Sequence, residues 1–351
     1  TKSRRPCRKA VTFPTDLGPG HNSETMSAMR TLIERVERHQ VPLYLAALAV
    51  GAGAGVALPG VAHPAESAIN PVLGLLLYAT FLGVPFARIG QAVRDWRFLL
   101  TVLTVNFVVV PVVVFLLSRV VAGDQVLLVG VLFVLLTPCV DYVIVFTGIA
   151  GGAKDRLLAA APLLMLFQMA LLPAYLWAFV GAEFVAAVDL APFVEAFLLL
   201  IALPLAAAGL TQVAAARTRW GCRVQEVVLG AMVPLMMLTL AVVVASQIAG
   251  VGARIGSLLA AVPIYVAFAA VMVPVGMAAG GIARLDAPGR RAVVFSGATR
   301  NSLVVLPLVL ALPDRFALAP LVVVTQTLVE LVVMVLFVRL IPRLIPDRED
   351  A

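Results

Sequence analysis

Beyond a polar stretch of about 40 residues, apolar positions gather into ten runs, near residues 41–59, 69–88, 98–119, 125–150, 156–180, 192–213, 224–246, 257–283, 291–312 and 316–341. Each is close to the roughly 20 apolar residues that a helix needs to cross a bilayer. The pattern predicts an all-α polytopic membrane protein with ten transmembrane helices. An even number of crossings puts both termini on one side. Ten spans divide into two fives, and because five is odd the second half enters the membrane in the opposite sense. The expected organisation is therefore a segment 1–40, two inverted five-helix repeats over 41–180 and 192–341, and a tail 342–351. The triplet Val72-Leu73-Gly74 returns as Val228-Leu229-Gly230, a weak echo between the halves.

Residues 1–40 end in Arg30, Glu34, Arg35, Glu37 and Arg38, which read as a surface helix feeding the first span. This segment has no apolar stretch of the kind a secretory signal requires, and Met26 or Met29 is a candidate natural start.

Composition agrees with the pattern. The AVILMFWYC class supplies 62% of the 351 residues and charged residues only 13%, about half the quarter usual in soluble domains; mean hydropathy is +1.05. The net charge of +7 lies in short clusters between runs, not on one basic face, which excludes a nucleic-acid binder. Basic residues in short loops are retained in the cytoplasm. Alternate connections hold seventeen Lys and Arg on one side and only Arg119, Arg254 and Arg315 on the other. Both termini are thus expected in the cytoplasm of a multi-pass plasma-membrane protein. Arg300 is left over inside a run.

Enzyme classes fare poorly. Cys7, Cys139 and Cys222 are far apart, and His21, His39 and His63 all lie before or just after the first run, so no resident metal or other cofactor is expected. Intramembrane proteolysis lacks its paired aspartates, its HExxH and its Ser with a membrane His, and a hydrolase built on Cys139 lacks a general base.

Interrupted segments at corresponding positions of two halves point to a transporter's binding site. Runs 4 and 9 are the interrupted ones. Run 4 reads Leu135-Leu136-Thr137-Pro138-Cys139-Val140-Asp141-Tyr142, and Pro138 removes an amide while obstructing the carbonyl one turn back, so the helix breaks there. Run 9 carries Phe295-Ser296-Gly297-Ala298-Thr299-Arg300-Asn301-Ser302 between apolar flanks. Ionisable residues at this depth are costly and mark functional candidates. Asp141 and Arg300 read either as a buried pair locking two broken helices or as part of a binding site with Asn301. Cys139 reads as a small core residue or, beside the break, as a soft ligand. Glu330 of run 10 reads as a structural acid or as a proton carrier that alternates between buried neutral and hydrated charged states. Asn106, Gln168, Thr299, Ser302 and Gln326 form a second tier of polar groups.

At these residues the chain resembles the arsenite efflux permeases, which belong with the bile acid:sodium symporters in one superfamily. Pro138-Cys139 is similar to the motif in which a Cys near the span 4 break is the proposed metalloid ligand. Phe295 to Asn301 resembles the span 9 pattern of Phe, small residues and an Asn pair, and Leu328-Val329-Glu330 the span 10 motif with its functional Glu. The resemblance implies ten spans in two inverted fives with broken, crossing helices 4 and 9. Departures accompany it. Arg300-Asn301 stands in place of the Asn pair, Leu303 in place of a Glu, and Asp141 is unusual two residues after the Cys. Against the bile acid symporters, Ser296 and Arg300 fall where a sodium-binding Glu and Gln are found, so a fixed guanidinium resembles a built-in cation substitute. The expected function is export of trivalent arsenic, with Cys139 as ligand to the substrate and Glu330 coupling it to proton entry. Organic-anion transport, with Arg300 as counter-charge, is the alternative. The expected partners are the metalloid, protons and the lipid bilayer.

Overall fold

The computed structural model describes residues 40–58, 60, 62–84, 94–140, 142–181, 190–247 and 255–346. The expected surface helix before Gln40 lies outside them. Helices follow the apolar runs: α1 (Gln40–Ala57), α2 (Ala62–Gly83), α3 (Trp96–Thr104), α4 (Val110–Ser118), α5 (Gln125–Leu135), α6 (Tyr142–Ile149), α7 (Lys154–Val180), α8 (Leu190–Phe197), α9 (Leu203–Arg217), α10 (Arg219–Gly230), α11 (Met232–Gln247), α12 (Ile255–Ile282), α13 (Ala287–Ala298), α14 (Ser302–Leu310) and α15 (Ala319–Leu344). Among the described residues the only β structure is one isolated bridge. The protein is an all-helical, multi-pass membrane protein. Among the described residues, six helical stretches can cross a bilayer by length and composition, or seven if the bent pair α10–α11 is one span.

Exposure supports a lipid surround. On the span that continues through α4, Val108, Val112 and Leu116 face outward at 60, 57 and 64% exposure, whereas Val110 and Val114 are fully buried. Both faces of the helix are equally apolar. A soluble helix would turn its polar face outward.

Local chemistry explains the bends and breaks. Run 224–246 is bent by 45° at Ala231, which the apolar pattern did not reveal. Pro234 cannot bond to the carbonyl of Gly230, so one helix ends there and the next begins. Pro111 acts in the same way on the third run. It leaves the carbonyl of Phe107 without its helical donor, the helix widens into a π turn over Val105–Val109, and the Tyr175 hydroxyl donates to that carbonyl at 2.6 Å. Asn106 sits on this π turn.

The chain forms two compact units, each drawn from both halves of the sequence. The first takes residues 40–83 and 199–247; α11 packs on α1 and α2, and α9 on α2 and α10. A Cβ at Gly51 would sit 2.5 Å from the carbonyl oxygen of Ala241, so α1 and α11 meet backbone to backbone. The Tyr78 and Thr211 hydroxyls bond at 2.8 Å, and Gln212 Nε2 donates to the carbonyl of Leu82 at 3.1 Å, which satisfies an end carbonyl of α2.

The second unit comprises α3 to α8 and α12 to α15. Within it α12 lies along α13 and α15, and α15 also packs on α5 and α14. The buried Tyr265 hydroxyl donates to the carbonyl of Val322 at 2.9 Å. Arg156 of α7 bonds Asp286 at 2.6 and 3.2 Å and meets Asp95 at 3.2 Å. The side chain of Asp95 in turn caps α3 by accepting from the amide of Phe98.

Candidate functional site

Both interrupted runs break within the second unit, and the two breaks pair. After α5 ends at Leu135 the chain leaves the helix through Thr137, Pro138 and Cys139; after α13 ends at Ala298 it does so through Thr299, Arg300 and Asn301. Pro138 and Arg300 form an antiparallel bridge. Its hydrogen bonds run from the amide of Asn301 to the carbonyl of Thr137 at 2.8 Å and from the amide of Cys139 to the carbonyl of Thr299 at 3.3 Å.

The two sides have one construction. The Thr137 hydroxyl donates to the carbonyl of Phe133 at 2.8 Å, and the Thr299 hydroxyl to that of Phe295 at 2.7 Å. A threonine that bonds back one turn competes with the helix for that carbonyl. Phe-x-x-x-Thr followed by Pro-Cys or by Arg-Asn is thus one break written twice, a relation the sequence reading missed. The triplet Val72-Leu73-Gly74 does not serve that purpose. It lies inside α2, whereas Val228-Leu229-Gly230 ends α10.

In an antiparallel bridge of this type the two central amides point away from the partner strand. Pro138 has no such amide. That of Arg300 donates to Glu330 Oε2 at 2.8 Å, and Gln326 Nε2 donates to the same oxygen. Ser302 and Thr327 join α14 to α15 through their hydroxyls at 2.6 Å. Asn301 caps α14, its Oδ1 accepting from the amide of Val304 at 3.2 Å.

Arg300 is the largest fully buried side chain among the described residues. Its Nη2 donates to Asn106 Oδ1 at 2.8 Å and to the carbonyls of Ser296 and Gly297 at 2.8 and 2.7 Å. Its Nη1 reaches the carbonyl of Leu135 at 3.3 Å, and the guanidinium lies 5.3 Å from the Phe268 ring centre. Asn106 Nδ2 donates to Ser296 Oγ at 3.0 Å. A Cβ at Gly297 would meet Val105 and Met272 side chains at 3.0 Å, so glycine lets α13 approach the π turn closely enough for this network.

The sequence candidates Cys139, Arg300, Asn301, Glu330, Asn106, Thr299, Ser302 and Gln326 therefore meet around one bridge. Asp141 lies outside the described residues, and with it the expected Asp141–Arg300 pair. Gln168 is buried on α7, and no contact described here ties it to the bridge. Phe268 and Thr327 were not singled out from the sequence, and Ser296 was noted only as a departure from the bile acid symporters, not as a site residue. Ser296 carried a signal, lying one helical turn before Arg300. Cys139 is fully buried and is not part of a disulfide. Among the described residues, Asn301 Nδ2, Gln326 Oε1 and both amide atoms of Gln168 are buried without a protein hydrogen-bond partner.

Apolar helices with lipid-facing flanks and two broken helices that pair at their breaks are the architecture of a membrane transporter. The Sodium Bile acid symporter family matches residues 70–254, more than half of the chain, and the protein belongs to that family. Its members are transporters and not enzymes. No curated protein matches the chain. The matched segment includes Pro138-Cys139 and ends before α13, so Arg300 and Glu330 lie beyond it.

Proposed function

We propose that the protein exports trivalent arsenic, As(OH)₃ or a close relative, in exchange for entering protons, through ten spans with both termini in the cytoplasm. The observation that supports this reading is the backbone pairing of Cys139 with Thr299 across the two breaks, which brings the residue proposed as soft ligand to the point where the two broken helices meet. Arsenite is neutral at pH 7, so a thiol can select it without an anion pocket. Exchange at the thiol balances as As(OH)₃ plus the Cys139 thiol giving a thioether-like S–As bond and one water. The unpartnered amide atoms of Asn301 and Gln326 offer a donor and an acceptor for the remaining hydroxyls.

That exchange leaves the proton count unchanged, so coupling falls to Glu330. Protonated from outside and deprotonated toward the more alkaline cytoplasm, it would release or retain the Arg300 amide and so bias the crossing. Arg300 serves the organic-anion reading poorly, since both its terminal nitrogens already donate to carbonyls or to Asn106. Asp141 remains its proposed ion-pair partner, to be tested by a charge swap in a double-mutant cycle.

The deciding experiment is arsenite accumulation by everted vesicles under an imposed pH gradient. Accumulation that collapses with the gradient supports the reading. Vesicles that take up an organic anion and leave arsenite outside overturn it.

A further inference from the structure

The surroundings of the Arg300 guanidinium are those of a cation site. Leu135 is the last residue of α5, and Ser296 and Gly297 belong to the last turn of α13. Carbonyls at a helix C-terminus have no intrahelical donor, and that end carries partial negative charge. Two such ends converge here, together with Asn106 Oδ1 and the face of Phe268. In transporters with broken helices, unwound carbonyls and C-terminal half-helix ends are what hold a coupling cation. Here the positive charge is attached to the chain and cannot be titrated away.

We propose that Arg300 is a tethered cation that fills the site formed by the ends of α5 and α13, so that this protein's cycle takes up no sodium at the crossing. The inference rests on the crossing being the transport site, and it distinguishes this chain from the coupling that its family's name describes. It also gives the buried charge a task. A sodium ion would come and go with the gradient, whereas Arg300 holds the two helix ends together in every state of the cycle. Movement must then come from elsewhere, and the Glu330 contact to the Arg300 amide is the adjacent bond able to change.

The test is cation-dependent thermal unfolding of the purified full-length chain in detergent, which needs no metalloid. Wild type should unfold at the same temperature in sodium chloride and in choline chloride of equal ionic strength. Arg300→Ala empties the oxygen cage. It should unfold at lower temperature and recover selectively with methylguanidinium, kept below denaturing concentrations, and with sodium over choline, because a ligand held only by the folded state raises its stability. Arg300→Lys retains a tethered cation and should remain insensitive to sodium. This variant keeps the test decisive if Arg300→Ala does not fold. Sodium-selective stabilisation of wild type or of Arg300→Lys overturns the proposal, as does a folded Arg300→Ala indifferent to every cation. Loss of arsenite transport with these cation responses intact would instead overturn the substrate reading alone.

Discussion

Glu330 Oε2 accepts the backbone amide of Arg300 at 2.8 Å, so the one carboxylate placed on α15 is bound to main chain at the point where the other helix has come apart. The amide points there because the bridge uses its neighbours' donors and acceptors and leaves this one outward. On the proposed mechanism, a change in the charge of Glu330 would act on a bond at the break itself.

Glu330→Gln tests that link. A glutamine oxygen still accepts the Arg300 amide, so folding and substrate binding are expected to survive while transport driven by a pH gradient fails. Everted vesicles of this variant that accumulate arsenite in response to a pH gradient would remove Glu330 from the coupling step.

Cys139→Ser is nearly isosteric and leaves the backbone bond to Thr299 in place. Expression and unfolding temperature should stay near wild type, and arsenite resistance in sensitive cells should be lost. Retained resistance would make the thiol a packing group.

Asn106 bridges a neutral hydroxyl and a charged guanidinium, and hydrogen bonds to charged groups contribute about 1.5–3 kcal/mol against about 1 for neutral ones. Asn106→Ala should therefore cost more stability than Ser296→Ala, as read by unfolding in detergent. Equal losses would show that the guanidinium does not depend on Asn106.

Arg156 joins Asp95 and Asp286, but the three side chains are 39, 38 and 49% exposed. Solvent screening limits such pairs to about 1 kcal/mol or less, so Arg156→Ala should lower stability slightly at low salt and not at all at high salt. A large, salt-independent loss would mean that the network holds the connections by geometry, not charge.

The proposed topology predicts that reporters fused after Leu190 and after Arg254 read outside the cell. A cytoplasmic signal at either site breaks the inverted five-and-five arrangement.

The sequence made the breaks legible, through Pro138 in one run and the small, polar residues 296–302 in the other, because departures from apolar pattern are visible residue by residue. It did not make the partners of Arg300 legible. Three of the contacts of Arg300 are backbone carbonyls at helix ends, which every residue carries and no sequence pattern marks. The bend at Ala231 was hidden for the related reason that Pro234 acts on a carbonyl one turn away. The repeated Phe-x-x-x-Thr construction was missed because the residues after it, Pro-Cys and Arg-Asn, are chemically unlike although they occupy the same positions in the bridge.

The π turn at Val105–Val109 makes the span that carries Asn106 sensitive to length. A π turn holds one residue more than the α-helix it interrupts, so deleting a single residue between Val105 and Val109 would restore a regular helix without shortening the hydrophobic span appreciably. The wide turn takes up its extra residue locally, so the helix on either side of such a deletion would keep its present face, and the change would fall on Asn106 and the other residues of the turn. Substitutions in this turn change one contact at a time, whereas a one-residue deletion would remove the turn as a whole, and with it the placement of Asn106, while leaving hydropathy untouched.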